Sequence, residues 1–289
     1  MKNYQIESVK DLLCCIDDII RDINEGAEYD FSKESRFSFY YRGEASDKHN
    51  DLKASIFRED EGDERELLQM ALNKAWHQLN ECRLYIEKLC YLQHHGLHTR
   101  LLDVTLNPLV ALYFACSENE TENGQIYLGR KSATSNEIYG NDKNTTIAEK
   151  TAQYLFCSNP METFVSKEKL LGNSGFCMKD FTIPLYFHTP FTNARISAQQ
   201  GGFILSPLLS KTSISEMGGQ ICNVGEQDLK KTDIFEKEYT ILVRADKKKE
   251  ILKELSSYGI SEGTMYPDIE HILKGINKEL KNENRHFLN

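Results

Sequence analysis

Residues 91–116, YLQHHGLHTRLLDVTLNPLVALYFAC, set three histidines, an arginine and an aspartate against a run that reads as core. Charged side chains are seldom buried unless they are paired or used, so this is the first place to look for chemistry. His94 and His98 stand four apart, as two metal ligands on a helix would, but Gly96 ends the helix between them and removes the shared face. No metal is therefore expected. Gln93, His94 and His95 are expected to hydrogen-bond around a pocket, with Arg100 and Asp103 paired to each other on a short turn.

A second candidate is RFSFYYRGEA, residues 36–45. Arg42 leaves an aromatic strand just before Gly43, and strand ends are where sites form. Its guanidinium can hold a phosphate or carboxylate in two parallel hydrogen bonds, and glycine admits a ligand or a positive φ. The alternative is a structural pair with an acid such as Asp103. In NARISAQQGGF, residues 193–203, Arg195, Gln199 and Gln200 precede two glycines; Gln binds hydroxyls and amides but is a poor acid–base catalyst. For Gln200 a solvated helix end is the simpler expectation. FEKEY puts Glu236 and Glu238 on an entering strand, where solvated charges are ordinary. G-x-S-x-G, H-E-x-x-H, P-loop and G-x-G-x-x-G motifs are absent.

These residues need elements to hold them. Apolar spacing predicts an amphipathic helix over 5–24, capped by Ser8 and Asp11 and stopped by Gly26. A strand follows over 36–45, then a mostly helical stretch over 62–96 closed by Gly96. RLLDVT reads as a buried strand or a turn. Asn107-Pro108 opens a helix that is apolar on nearly every side and so should be central. Strands are expected at 124–130, 181–190, 203–205 and 239–245, a short helix before 203, a helix ending at Gly259 and a last helix after Pro267. With no repeat or low-complexity linker, one α+β domain is the simplest organisation.

The 289 residues are 40% hydrophobic and 27% charged, ordinary for a soluble globular protein. A net charge of −9 gives no global attraction to phosphate backbones, so non-specific nucleic-acid binding is not expected. Eight cysteines without a C-x-x-C pair read as reduced, buried thiols. No apolar run approaches membrane-spanning length, and the first residues lack a signal-peptide pattern. A cytoplasmic protein without membrane contact is expected.

The sequence resembles the FRG domain family. YRG at 41–43 matches its aromatic-Arg-Gly motif, and LQHHGLHTRLLDVTLNPLVALYFA resembles its central signature. RISAQQGGF and YTILVRADKKKEILKELSSYGISEGTMYPDIEHI are similar to its later segments, so the resemblance runs roughly from 36 to 275. It implies an N-terminal helix in 1–30 packed on a single FRG domain in 31–289. A fainter likeness is to the ADP-ribosyltransferase fold. It implies a central mixed or antiparallel sheet with flanking helices, with NAD as substrate. Arg42 would hold NAD, Tyr113 and Phe114 would line a nicotinamide pocket, and Gln199 would hold the ribose. The family's His-Gly-Thr and Ser-Thr-Ser motifs are absent, and its paired glutamates occur only as Glu236-x-Glu238. Such catalysis uses an acid to stabilise an oxocarbenium-like centre, and Gln supplies no charge. Either another residue does this, or the domain binds nucleotides without turning them over.

The expected function is thus an NAD-consuming, ADP-ribosyltransferase-like enzyme acting as a toxin or phage-defence effector. Its expected catalytic residues are Arg42, Gln199 and His94. Tyr41, Gly43, Gln93, His95, Arg100, Asp103, Tyr113, Phe114, Arg195 and Gln200 are expected to bind substrate. The alternative is a non-catalytic module that senses a nucleotide or nucleic acid. In both, the partner is a small nucleotide-like ligand, with any macromolecular target left open.

Overall fold

The computed structural model describes residues 2–26, 39–48, 52–58, 63–130, 143–157, 178–188, 193–209, 239–268 and 273. Its strands form one sheet in the order β1 (Lys2–Ile6), β7 (Tyr239–Val243), β4 (Gly124–Arg130), β2 (Phe39–Glu44), β3 (Leu101–Thr105), β6 (Gly201–Leu205), β5 (Leu185–Phe187). Among the described strands only β1 and β7 pair in parallel; the other neighbours are antiparallel. The fold is therefore α+β with a central mixed sheet and flanking helices, as expected.

Helices cover it from several sides: α1 (Val9–Gly26), α2 (Glu64–Lys74), α3 (Trp76–Leu79), α4 (Tyr85–His94), α5 (Pro108–Cys116), α6 (Lys143–Cys157), α7 (Ala194–Ala198), α8 (Lys248–Ser257) and α9 (Glu262–Met265). One core joins α1, α5 and α8 to β2, β4 and β7 through Leu12, Ile19, Tyr41, Leu112, Ile126, Val243 and Ile251. A second joins α4 and α6 to β5 and β6 through Ile86, Leu89, Phe156, Phe187 and Phe203. The wholly apolar α5 lies between layers because both of its faces meet protein. Glycines let it come so close. A Cβ on Gly43 would sit 1.8 Å from the Ala111 carbonyl oxygen, and one on Gly124 would sit 2.2 Å from that of Ala115.

Several expectations are corrected here. Residues 2–6 are a strand, not the start of the first helix, because β1 gains its hydrogen bonds from β7, far away in sequence. Ser8 does cap α1, its Oγ accepting from the Asp11 N–H at 3.2 Å, while Asp11 accepts from Glu7 N–H at 3.0 Å. Leu13 and Cys14 are exposed while Leu12 and Cys15 are buried, because neighbouring helical residues point about 100° apart. Cys157 is exposed and Cys82 half-buried, so burial of the thiols holds for Cys15, Cys90 and Cys116. Leu109 and Phe114 of α5 are half-buried, unlike Ala111, Leu112 and Ala115. The described part of the stretch 62–96, from residue 63, carries three helices, α2 to α4, ended by Gly96 at φ +91°. RLLDVT is strand β3, and Gly259 at φ +78° follows α8 as a C-cap. Cys177, Cys222, Glu236, Glu238 and nearly all of the last expected helix lie outside the described residues.

Lys248 opens α8 and is only 1% exposed. Its Nζ donates to three main-chain oxygens, of Ala45 (2.6 Å), Glu118 (3.0 Å) and Asn119 (3.0 Å). Burial lowers its pKa from the ordinary lysine value. No described helix is long and apolar enough to cross a membrane.

Candidate functional site

The site begins with incomplete strand pairing. β2 pairs with β4 at six positions but with β3 only at Tyr41 opposite Thr105. Beyond that point the two strands part, and a cavity of about 230 Å³ opens beside them. Strand alternation and register put Tyr41, Gly43, Asp103, Thr105 and Phe203 on the face that carries α5. Arg42 and Val104 start from the other face. The Arg42 guanidinium spans the opening: Nη1 donates to the Asp103 main-chain oxygen at 2.7 Å, and Nε donates to Glu44 Oε1 at 3.1 Å. Glu44 Oε2 is buried with no hydrogen-bond partner among the described residues.

The C-terminal end of α4 supplies Gln93 and His94, α5 supplies Phe114, and α7 supplies Arg195 and Ile196, with Gln199 just after it. Local chemistry fixes each helix. Glu149 on α6 accepts from the first two amides of α4, Tyr85 N–H (3.1 Å) and Ile86 N–H (2.8 Å). The side chain of Asn107 caps α5 by accepting from Leu109 N–H (2.9 Å), and that of Asn193 caps α7 by accepting from Ile196 N–H (2.7 Å). Gln93 Nε2 donates to Asp103 Oδ1 at 2.9 Å. The Arg195 guanidinium lies 4.7 Å from the centroid of the Tyr266 ring, which in turn meets Phe114 edge-on.

The titrations follow from this packing. Burial, and then the Arg195 charge, lower the His94 pKa from the usual histidine value. That leaves a neutral imidazole at pH 7. Burial pushes the Tyr41 hydroxyl up to about 12 and raises that of Tyr266, so both remain protonated.

Of the residues singled out by sequence, Tyr41, Arg42, Gly43, Gln93, His94, Asp103, Phe114, Arg195 and Gln199 come together on the cavity wall. Four lie elsewhere. His95 is exposed at the end of α4 with its ring against Tyr91. Tyr113, on α5, is buried in the core. Gln200 is an exposed turn residue at φ +46° whose carbonyl accepts from Leu106 N–H. Arg100 is 1% exposed and does not pair with Asp103. Its Nε and Nη2 donate to Glu64 Oε2 at 2.8 and 2.6 Å, and Nη1 donates to the Pro207 oxygen at 3.0 Å. The expected Arg100–Asp103 pair fails because both lie on or beside a strand, where residues three apart face opposite sides of the sheet. Gly43 has no positive φ; its small size serves the approach of α5. The Gln199 amide is already committed, Nε2 donating to the Met265 oxygen at 3.0 Å. Among the described residues no cluster of three or more His, Cys, Asp or Glu is arranged to hold a metal ion.

Sequence reasoning missed Glu44, Thr105, Ile196, Phe203 and Tyr266. The signals that point to two of them are local: Glu44 adjoins the YRG motif, and Tyr266 opens the Tyr-Pro-Asp segment.

Neither curated proteins nor solved structures provide a match to this chain. A family model described as FRG domain matches residues 37–124, from just before β2 to the first residue of β4. That span is shorter than the resemblance suggested, and it leaves α7, β6 and β7 outside. The chain carries an FRG domain over residues 37–124, and Arg42, Gln93, His94, Asp103 and Phe114 of the cavity all lie within it.

Proposed function

We propose that the cavity binds a small anionic, nucleotide-like ligand, and that the chain is an NAD-consuming enzyme resembling ADP-ribosyltransferases. One observation carries this reading. A guanidinium, a carboxylate, a neutral imidazole and an aromatic ring, distant in sequence, converge on one concave site. Arg42 would hold a phosphate, and Phe114 would flank the planar base. Asp103 would supply the negative charge that Gln199 cannot. In hydrolysis the bond from ribose C1′ to the nicotinamide nitrogen breaks and its electron pair leaves with nicotinamide. Asp103 stabilises the positive charge developing on the sugar. A water oxygen forms the new bond to C1′ and passes a proton to His94.

The test is to incubate purified protein with millimolar NAD and to follow nicotinamide release by chromatography. Release that disappears in Arg42→Ala supports the reading; an intact NAD pool and no binding overturn it. A role as toxin or defence effector adds that expression is harmful and that Arg42→Ala relieves the harm. The second reading, a non-catalytic nucleotide sensor, is favoured by the commitment of the Gln199 amide to Met265. It predicts saturable binding without a product.

A further inference from the structure

We propose that Thr99, a residue outside the cavity, is the positioning residue for its carboxylate and acts through Gln93. Thr99 is 0% exposed. Its hydroxyl oxygen already accepts from Leu101 N–H at 3.2 Å. Its own proton is donated to Gln93 Oε1. Gln93 Nε2 then donates to Asp103 Oδ1 at 2.9 Å.

The direction of this chain is imposed chemically. A flipped Gln93 would turn its carbonyl oxygen towards a carboxylate that carries only acceptors. It would also leave the Thr99 proton without its acceptor. Thr99 thus decides which end of the Gln93 amide meets Asp103. Thr99 is itself held by a part-buried contact, its N–H donating to Ser55 Oγ at 3.2 Å. An aimed carboxylate that can only accept selects a ligand group with a donor, a hydroxyl or an amide N–H, against a second anion. The effect on ligand binding rests on the nucleotide reading above; the orientation of Gln93 does not.

The experiment records the side-chain amide resonances of Gln93 in the ligand-free protein, followed by titration with NAD. In the wild type and in Thr99→Ser the Nε proton donated to Asp103 should be shifted and slow to exchange. In Thr99→Val and in Asp103→Ala it should move to the value of a free amide. NAD affinity should fall about tenfold in Thr99→Val, the scale of one hydrogen bond to a charged group, and be retained in Thr99→Ser. Thr99→Val should cost nothing further in the Asp103→Ala background, whereas a general packing defect would add. Unchanged Gln93 resonances in Thr99→Val, or a fully additive double variant, overturn the proposal. Responsive Gln93 resonances with no NAD binding even in the wild type uphold the relay and overturn the nucleotide reading.

Discussion

Arg42 on β2 donates to the main-chain oxygen of Asp103 on β3 across the gap where their ladder has stopped. A side chain thus takes over a contact that a strand partner would ordinarily provide. The same guanidinium pairs with Glu44, and the two side chains are only 15% and 12% exposed. Arg42 is therefore both a wall of the cavity and a fastener of the sheet.

Removing it should have two separable effects. Arg42→Ala should abolish ligand binding and also cost about 3 kcal/mol, because Glu44 is left charged and half-buried. Arg42→Ala combined with Glu44→Gln should recover most of the stability but none of the binding. Paired melting and binding measurements on the three proteins check this. A single variant that loses stability but still binds would return Arg42 to a purely structural role.

The Glu64–Arg100 pair should matter to folding alone. It is buried, with three donors from Arg100 converging on one carboxylate. Glu64→Ala should destabilise by about 3–5 kcal/mol through the stranded arginine. Ligand affinity of the remaining folded fraction should be unchanged, as urea titration with and without ligand can show.

Gly43→Ala should be more damaging than its size suggests. The added methyl would meet the Ala111 carbonyl of α5, a main-chain atom that cannot swing aside. A loss of about 3 kcal/mol or more is expected, with Gly96→Ala as a contrast: Gly96 has open space for a Cβ and would pay only for its positive φ. Chemical denaturation of both variants distinguishes steric from conformational cost.

Stability should also carry a signature of His94. Its folded pKa lies below the ordinary 6.5, so near pH 8 it is neutral folded or unfolded and costs nothing. As the pH falls through 6.5 the unfolded chain takes up the proton first and stability declines, until the folded value is passed. Arg195 and His95 strengthen this trend, whereas Asp103 and Asp268 oppose it. His94→Gln should flatten the dependence of the melting temperature between about pH 5 and 7. An unaltered slope would assign it to other groups.

Much of this was legible in the sequence, for identifiable reasons. The helix at 108–116 announced itself by Asn-Pro and a continuous apolar run, and strands such as 124–130 by short apolar runs. Convergence of Arg42 with Gln93, His94 and Asp103 could be expected because each sits at or near an element end beside that helix. What local pattern could not convey was pairing at a distance. β1 exists through β7, and Arg100 chooses Glu64 on α2 over Asp103 three residues away. Gly43 looked like room for a ligand, whereas the space is filled by the backbone of α5.

The ammonium of Lys248 extends this lesson to the limits of the matched segment. The three carbonyls it serves, at 45, 118 and 119, lie inside the matched residues 37–124, while the cation lies well outside. The match also ends on the first residue of β4 and excludes β6 and β7, the strands that flank its own. A fragment cut at those limits would leave three main-chain acceptors without their ammonium donor and two sheet edges bare. The stretch that sequence similarity delineates and the cooperative unit that folds are therefore different objects, and the second reaches at least to Lys248.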